Sequence, residues 1–108
     1  NYLAASQQFS TPYMKYFIAL DLSQRLSAVT CPVMALNGTK DTQVQCDRNM
    51  KALKAALPSG GKNIIHVEEG LNHLFQHCVT GEFSEYKEIE ETFSPKVLSE
   101  MIAWIKTL

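Results

Sequence analysis

The sequence carries no excess of either charge, no long apolar run and no paired-cysteine motif, and each absence removes a class of function. Ten Lys and Arg against eleven Asp and Glu leave a formal net charge of −1. Such a chain lacks the basic field that nucleic acid requires, and nucleic acid is not expected as a partner. No apolar run approaches the roughly 20 residues of a membrane-crossing helix, and no basic amphipathic helix is read, so no membrane partner is expected. Cys31, Cys46 and Cys78 are odd in number and irregularly spaced. They form no Cys-x-x-Cys pair, which excludes a zinc ribbon or a thioredoxin-like motif. Reduced, partly buried thiols are the expectation, with a disulfide between two of them left open. Repeats and low-complexity segments are absent as well.

What is present is the composition of a globular chain, 45% hydrophobic and 19% charged over 108 residues, enough for a single domain at most. The chain opens at Asn1 within patterned sequence and carries no leader of its own, so residues 1–108 are expected to be a partial domain lacking an upstream portion.

The organising stretch is Pro32-Val33-Met34-Ala35-Leu36-Asn37-Gly38-Thr39-Lys40-Asp41. Val33 to Asn37 reads as a short strand, apolar until its end, which suits a parallel strand buried on both faces. Gly38 breaks it, and Asp41 follows on the loop at the strand's C-terminal edge, where ligands bind in open α/β sheets. A second strand is expected over Asn63 to Glu68, and Gly70-Leu71-Asn72-His73 is the loop after it. Two successive strands thus deliver an Asp and then a His to one edge.

Between them, Asp47 is expected to cap a helix running to about Leu57. Met50, Leu53, Ala56 and Leu57 make its apolar stripe, and Arg48, Lys51 and Lys54 its solvated side. Pro58-Ser59-Gly60-Gly61 ends it. A strand–helix–strand crossover of this kind forces parallel pairing.

Upstream, residues 1–10 are weakly helical, and Thr11-Pro12 marks a helix start. Tyr13, Met14, Tyr16, Phe17 and Leu20 follow, expected to pack in a core, with the lining of a substrate pocket as the sharper alternative. Asp21 to Ala28 reads as a short amphipathic turn. Downstream, Leu71 to Cys78 is expected to be a helical turn, and Thr80 to Thr92 an acidic loop with partial helix. Ser94-Pro95 opens a final helix to Leu108, with Val97, Leu98, Met101, Ile102, Trp104 and Ile105 on a broad apolar face that must dock on the sheet. Only two strands are evident, and both read as buried strands, so the sheet is expected to be incomplete, with a thin core and unpaired edges.

A carboxylate on one ring nitrogen of a His fixes its tautomer and leaves the other nitrogen free to act as a general base. Asp41 and His73 are the candidates. A metal site is the competing reading: His73 and His77 stand four apart, with His66 and Cys78 near in sequence, but the His-Glu-x-x-His signature is missing. No metal and no cofactor are assigned.

The order strand–Asn-Gly-x-x-Asp-x-x-Val–helix–strand–Gly-Leu-Asn-His resembles the C-terminal part of the α/β-hydrolase fold. Thr11-Pro12-Tyr13, Pro32 to Val44, Gly70 to Gln76 and Ile89-Glu90-Glu91-Thr92 are similar to serine esterases and prolyl-oligopeptidase-like hydrolases. The resemblance implies a triad acid in Asp41, a triad base in His73, and supporting residues in Asn37, Gln43, Asn72 and Gln76. It implies hydrolysis of a small-molecule ester, or of a peptide or thioester, with no cofactor. The Gly-x-Ser-x-Gly nucleophile motif is not in the chain, so the isolated polypeptide is expected to be inactive. The expected partner is a second copy of the chain or a missing N-terminal part, and the alternative function is a non-catalytic self-associating module derived from a hydrolase.

Overall fold

The computed structural model describes residues 2–108. It holds the elements α1 (Tyr2–Phe9), α2 (Pro12–Ala19), α3 (Leu22–Leu26), β1 (Met34–Gly38), α4 (Cys46–Ala56), β2 (Ile64–Glu68), a 3-10 turn (Phe83–Glu88) and α5 (Pro95–Ile105). Strands β1 and β2 form a two-stranded parallel sheet, in register from Met34 opposite Ile64 to Gly38 opposite Glu68. The chain is therefore a small α/β fold.

Each strand begins one residue later than its sequence pattern, and Gly38 does not break β1 but is its last residue, paired with Glu68. Val33 already joins the ladder, because its carbonyl accepts from the Ile64 amide at 2.9 Å and its amide donates to Asn63 Oδ1 at 2.9 Å. Helix α4 crosses between the strands with its stripe inward: Met50 and Leu57 are buried, and Leu53 and Ala56 half-buried. Asp47 lies inside the first turn. The capping position falls on Gln45, whose side chain makes no cap bond. At α2 the expected cap forms, with Thr11 Oγ1 accepting from the Met14 amide at 3.2 Å.

Helix α4 covers one face of the sheet, where Asn49 reaches Asn37, and α5 covers the other, where Lys96 reaches Glu68. Helix α5 is tied down at both ends. The Ser94 amide donates to the Phe75 carbonyl at 2.8 Å, and Trp104 Nε1 donates to the Lys62 carbonyl at 2.7 Å. Ser94 does not cap through its hydroxyl, which is buried without a hydrogen-bond partner. Trp104 is thus half-buried, but Leu98, Met101, Ile102 and Ile105 on the same helix face solvent.

Two packing expectations are corrected. Strand β2 is not buried on both faces: Ile64 and Val67 remain exposed, since among the described residues no third strand or further helix covers them. Tyr13, Tyr16 and Phe17 do not enter a core. Tyr13 is 71% exposed and stacks only on Phe17, with ring centroids 6.2 Å apart. The expectation of a thin core holds: among the described residues the buried apolar side chains are Cys46, Met50, Leu57, Leu71 and Val97. The Cα radius of gyration of 16.7 Å exceeds the value of about 13 Å typical of a compact domain of this length. All three cysteines are free thiols, with Cys46 buried, Cys78 half-buried and Cys31 exposed.

Gly38, at the end of β1, sits against the loop that follows β2. A Cβ there would collide with the carbonyl of Leu71. Gly38→Ala is expected to destabilise the chain by about 2 kcal/mol or more. Urea denaturation checks it, and a midpoint equal to that of the parent chain would show that the two loops can separate freely.

Candidate active site

The loops that leave the two strands are bound to each other before any catalytic side chain is considered. The Thr39 amide donates to the Glu68 carbonyl at 3.0 Å, and the Lys40 amide to the Leu71 carbonyl at 3.0 Å. The Gly70 amide in turn donates to Thr39 Oγ1 at 2.8 Å. This lacing carries the sheet register past the strand ends. It brings Asp41, three residues beyond β1, to His73, five residues beyond β2.

His73 Nδ1 lies 2.9 Å from Asp41 Oδ2. With a carboxylate as acceptor, Nδ1 carries the proton, and the neutral ring holds its lone pair on Nε2. The Asp41 side chain is 6% exposed and that of His73 35%, so the acid is enclosed while the imidazole reaches solvent. No hydrogen bond occupies His73 Nε2 among the described residues.

The Asp41 carboxylate is held at both oxygens. Oδ1 accepts from the amides of Gln43 at 2.9 Å and Val44 at 2.8 Å, and Oδ2 accepts from Asn37 Nδ2 at 3.1 Å as well as His73. Burial pushes this carboxyl up. The amide of Val44, the His73 ring and the amide of Gln43 outweigh it and leave the group below its ordinary range. Asn37 is fixed in turn, since its Oδ1 accepts from Asn49 Nδ2 at 2.7 Å and its Nδ2 also reaches the Val44 carbonyl at 3.3 Å.

The His73 loop is not a helical turn. Asn72 Oδ1 accepts from the amides of Leu74 and Gln76, each at 3.0 Å, taking donors that a helix would need. Asn72 Nδ2 donates to Gln76 Oε1 at 3.0 Å, and Leu71 and His77 close the loop as an antiparallel bridge. Phe75 sits at φ 57°, a left-handed conformation unusual for a bulky side chain. It is held by its carbonyl's bond from Ser94 and by its ring against Phe93 at 5.4 Å. Because the segment is not helical, His73 and His77 do not share a face. His77 Nδ1 instead lies 2.9 Å from Glu91 Oε1, and the two histidines do not form a joint metal site.

A third loop buttresses the other two. Glu85 accepts from the amides of Val79 at 2.6 Å, Thr80 at 3.0 Å and Gly81 at 2.9 Å. The amide of Val79 foremost, with those of Gly81 and Thr80, holds its carboxyl at about 2. Gly81, at φ 81°, lies against the Lys40 carbonyl, where any Cβ would collide. Lys40 Nζ donates to the Cys78 carbonyl at 3.2 Å, and Thr42 Oγ1 to the Gly81 carbonyl at 3.2 Å.

Of the supporting residues expected from the sequence, Asn37 touches Asp41 directly, and Asn72 and Gln76 build the loop under His73. Gln43 contributes its amide, while its side chain turns away to the Tyr86 hydroxyl at 2.9 Å. Sequence reasoning passed over Asn49, the Val44 amide, Glu85 and Glu91. Only Asn49, on the same helix face as Cys46 and Met50, carried a readable signal. No protein-family model, curated protein or solved structure matches the chain.

Asn72→Ala would strand two loop amides, one of them on buried Gln76. It is expected to cost about 2 to 4 kcal/mol; a urea midpoint equal to that of the parent chain would refute the loop's dependence on Asn72 Oδ1. The lowered Asp41 value sets a second expectation. Its stabilisation is complete above the ordinary carboxylate value of 3.8 and is lost as pH falls through the lower folded-state value. The stability gap between the parent chain and Asp41→Ala should therefore narrow as pH falls below about 4.

Proposed function

We propose that Asp41 and His73 are the acid and base of a Ser-His-Asp hydrolase, and that this chain is the C-terminal part of its α/β-hydrolase domain. The observation that carries the reading is the 2.9 Å contact between His73 Nδ1 and Asp41 Oδ2 at the C-terminal edge of two parallel strands. The supporting chain order, Asp then His on successive strand-end loops, matches that of the α/β-hydrolases.

In this reaction a serine hydroxyl attacks an ester carbonyl while His73 Nε2 takes its proton. The same proton then passes to the leaving alkoxide. A water activated by His73 releases the acid and restores the serine. Asp41 stays ionised, keeps the proton on Nδ1 and stabilises the imidazolium. A peptide or thioester carbonyl would enter the same cycle.

The 108 residues hold no Gly-x-Ser-x-Gly, so the serine and the amides of the oxyanion hole come from chain outside them. The isolated polypeptide is accordingly inactive. Assayed with p-nitrophenyl acetate, it should show no turnover that His73→Ala removes. Extending the encoding reading frame upstream should reveal the serine motif and an esterase that loses about a thousandfold or more on His73→Ala. An upstream frame without a nucleophile motif would overturn the hydrolase reading.

A second reading rests on the exposed apolar groups of α2 and α5 and the unpaired edge of the sheet. Surfaces of this kind mark interfaces, and here they favour a self-associating module. Light scattering over a concentration series tests it, since a monomer at all concentrations removes this second reading and leaves the first untouched.

A further inference from the structure

On the face of the sheet away from Asn37, a second cluster of titratable groups lies between β2 and α5. His66 and Glu68 stand two apart on β2 and project to one face. Glu100 comes down from α5. Lys96 takes one oxygen from each carboxylate, at 3.1 Å from Glu68 Oε2 and 2.8 Å from Glu100 Oε1. The remaining oxygens, Glu68 Oε1 and Glu100 Oε2, are buried and have no hydrogen-bond partner among the described residues. The Glu68 side chain is 1% exposed, and its orphaned Oε1 lies 3.8 Å from His66 Nε2. One donor atom from each of His66, Glu68 and Glu100 lies within 4.8 Å of the other two.

We propose that His66, Glu68 and Glu100 form a binding site for a divalent transition-metal ion of the zinc class. One imidazole nitrogen and two carboxylate oxygens are a borderline-to-hard donor set suited to that class. Buried carboxylate oxygens set together without a donor are relieved by a proton or by a cation, and the His66 ring nitrogen at the same place is a ligand that only a cation would use. Donors about 2.0–2.2 Å from a tetrahedral ion stand roughly 3.4 Å from one another, a little closer than the 3.8 Å between His66 Nε2 and Glu68 Oε1. A shift of His66, whose side chain is 51% exposed, closes the gap without moving the sheet. Lys96 fixes the outer oxygens and so aims the inner ones, the role of a supporting partner to metal ligands. The approach is open, because His66 and Glu100 both line a groove of about 550 Å³ that also includes Met34, Ile64 and Trp104. A fourth coordination position would face this groove. The lining includes neither Asp41 nor His73, so the site is separate from the dyad and does not depend on its function.

The test is titration of the full chain with zinc chloride under reducing conditions, with cobalt(II) as the spectroscopic probe. One equivalent of zinc should bind, and cobalt should give the visible bands of four-coordination without thiolate charge-transfer, which excludes Cys31 and Cys78 as ligands. His66→Ala and Glu100→Gln should each weaken zinc binding about tenfold or more. Both positions are accessible enough for the fold to persist, and circular dichroism verifies that. Absence of stoichiometric binding, or binding unchanged in His66→Ala, would overturn the site and leave a proton shared by Glu68 and Glu100 as the charge between them.

Discussion

Everything at the candidate active site depends on how closely the ends of two parallel strands can approach. The register that sets Gly38 opposite Glu68 continues beyond the sheet into the bonds Thr39 to Glu68 and Lys40 to Leu71. At that crossing the backbone of one loop occupies the place of a side chain on the other, which only glycine at position 38 permits. Asp41 and His73 are therefore positioned by main-chain geometry first. Their mutual hydrogen bond then selects one rotamer and one tautomer from a narrow set.

This division explains how a chain with few buried apolar residues still holds an ordered site. The buried polar residues Asn37, Asn72 and Gln76 replace hydrophobic packing with satisfied hydrogen bonds. Each such bond adds little net stability, yet breaking one strands a buried group at greater cost. The loops are consequently specific in shape while resting on a thin core. Glu85 repeats the device at the surface, gathering three amides of residues 79–81 and setting Gly81 against Lys40.

The parts legible in the sequence were those written in backbone terms. The apolar run ending at Gly38 announced β1, the spacing of Met50, Leu53 and Leu57 announced α4, and together they placed Asp41 and His73 at one edge. The loop from Leu71 to Cys78 was misread because its apolar and polar residues mimic a helical turn. What decides its shape is the side chain of Asn72 competing for backbone donors. The burial of β2 and of the α2 aromatics was misread for another reason: residue pattern reports what a surface can bury, and whether anything covers it depends on strands and helices beyond the pair present here. Glu91 and Tyr86 were out of reach because their partners lie far off in sequence.

The two faces of the sheet carry opposite solutions to the same electrostatic problem. On the α4 face the Asp41 carboxylate meets four donors, and its charge is fully met by dipoles and the His73 ring. On the α5 face Glu68 and Glu100 share one ammonium, and two oxygens are left with nothing to accept. A buried carboxylate left in that state is unfavourable unless a proton or a cation joins it. The first arrangement is complete as it stands and suits a group that must remain ionised through a reaction. The second is incomplete, and the His66 ring beside it supplies the one further donor atom that turns an incomplete carboxylate pair into a cation-binding set.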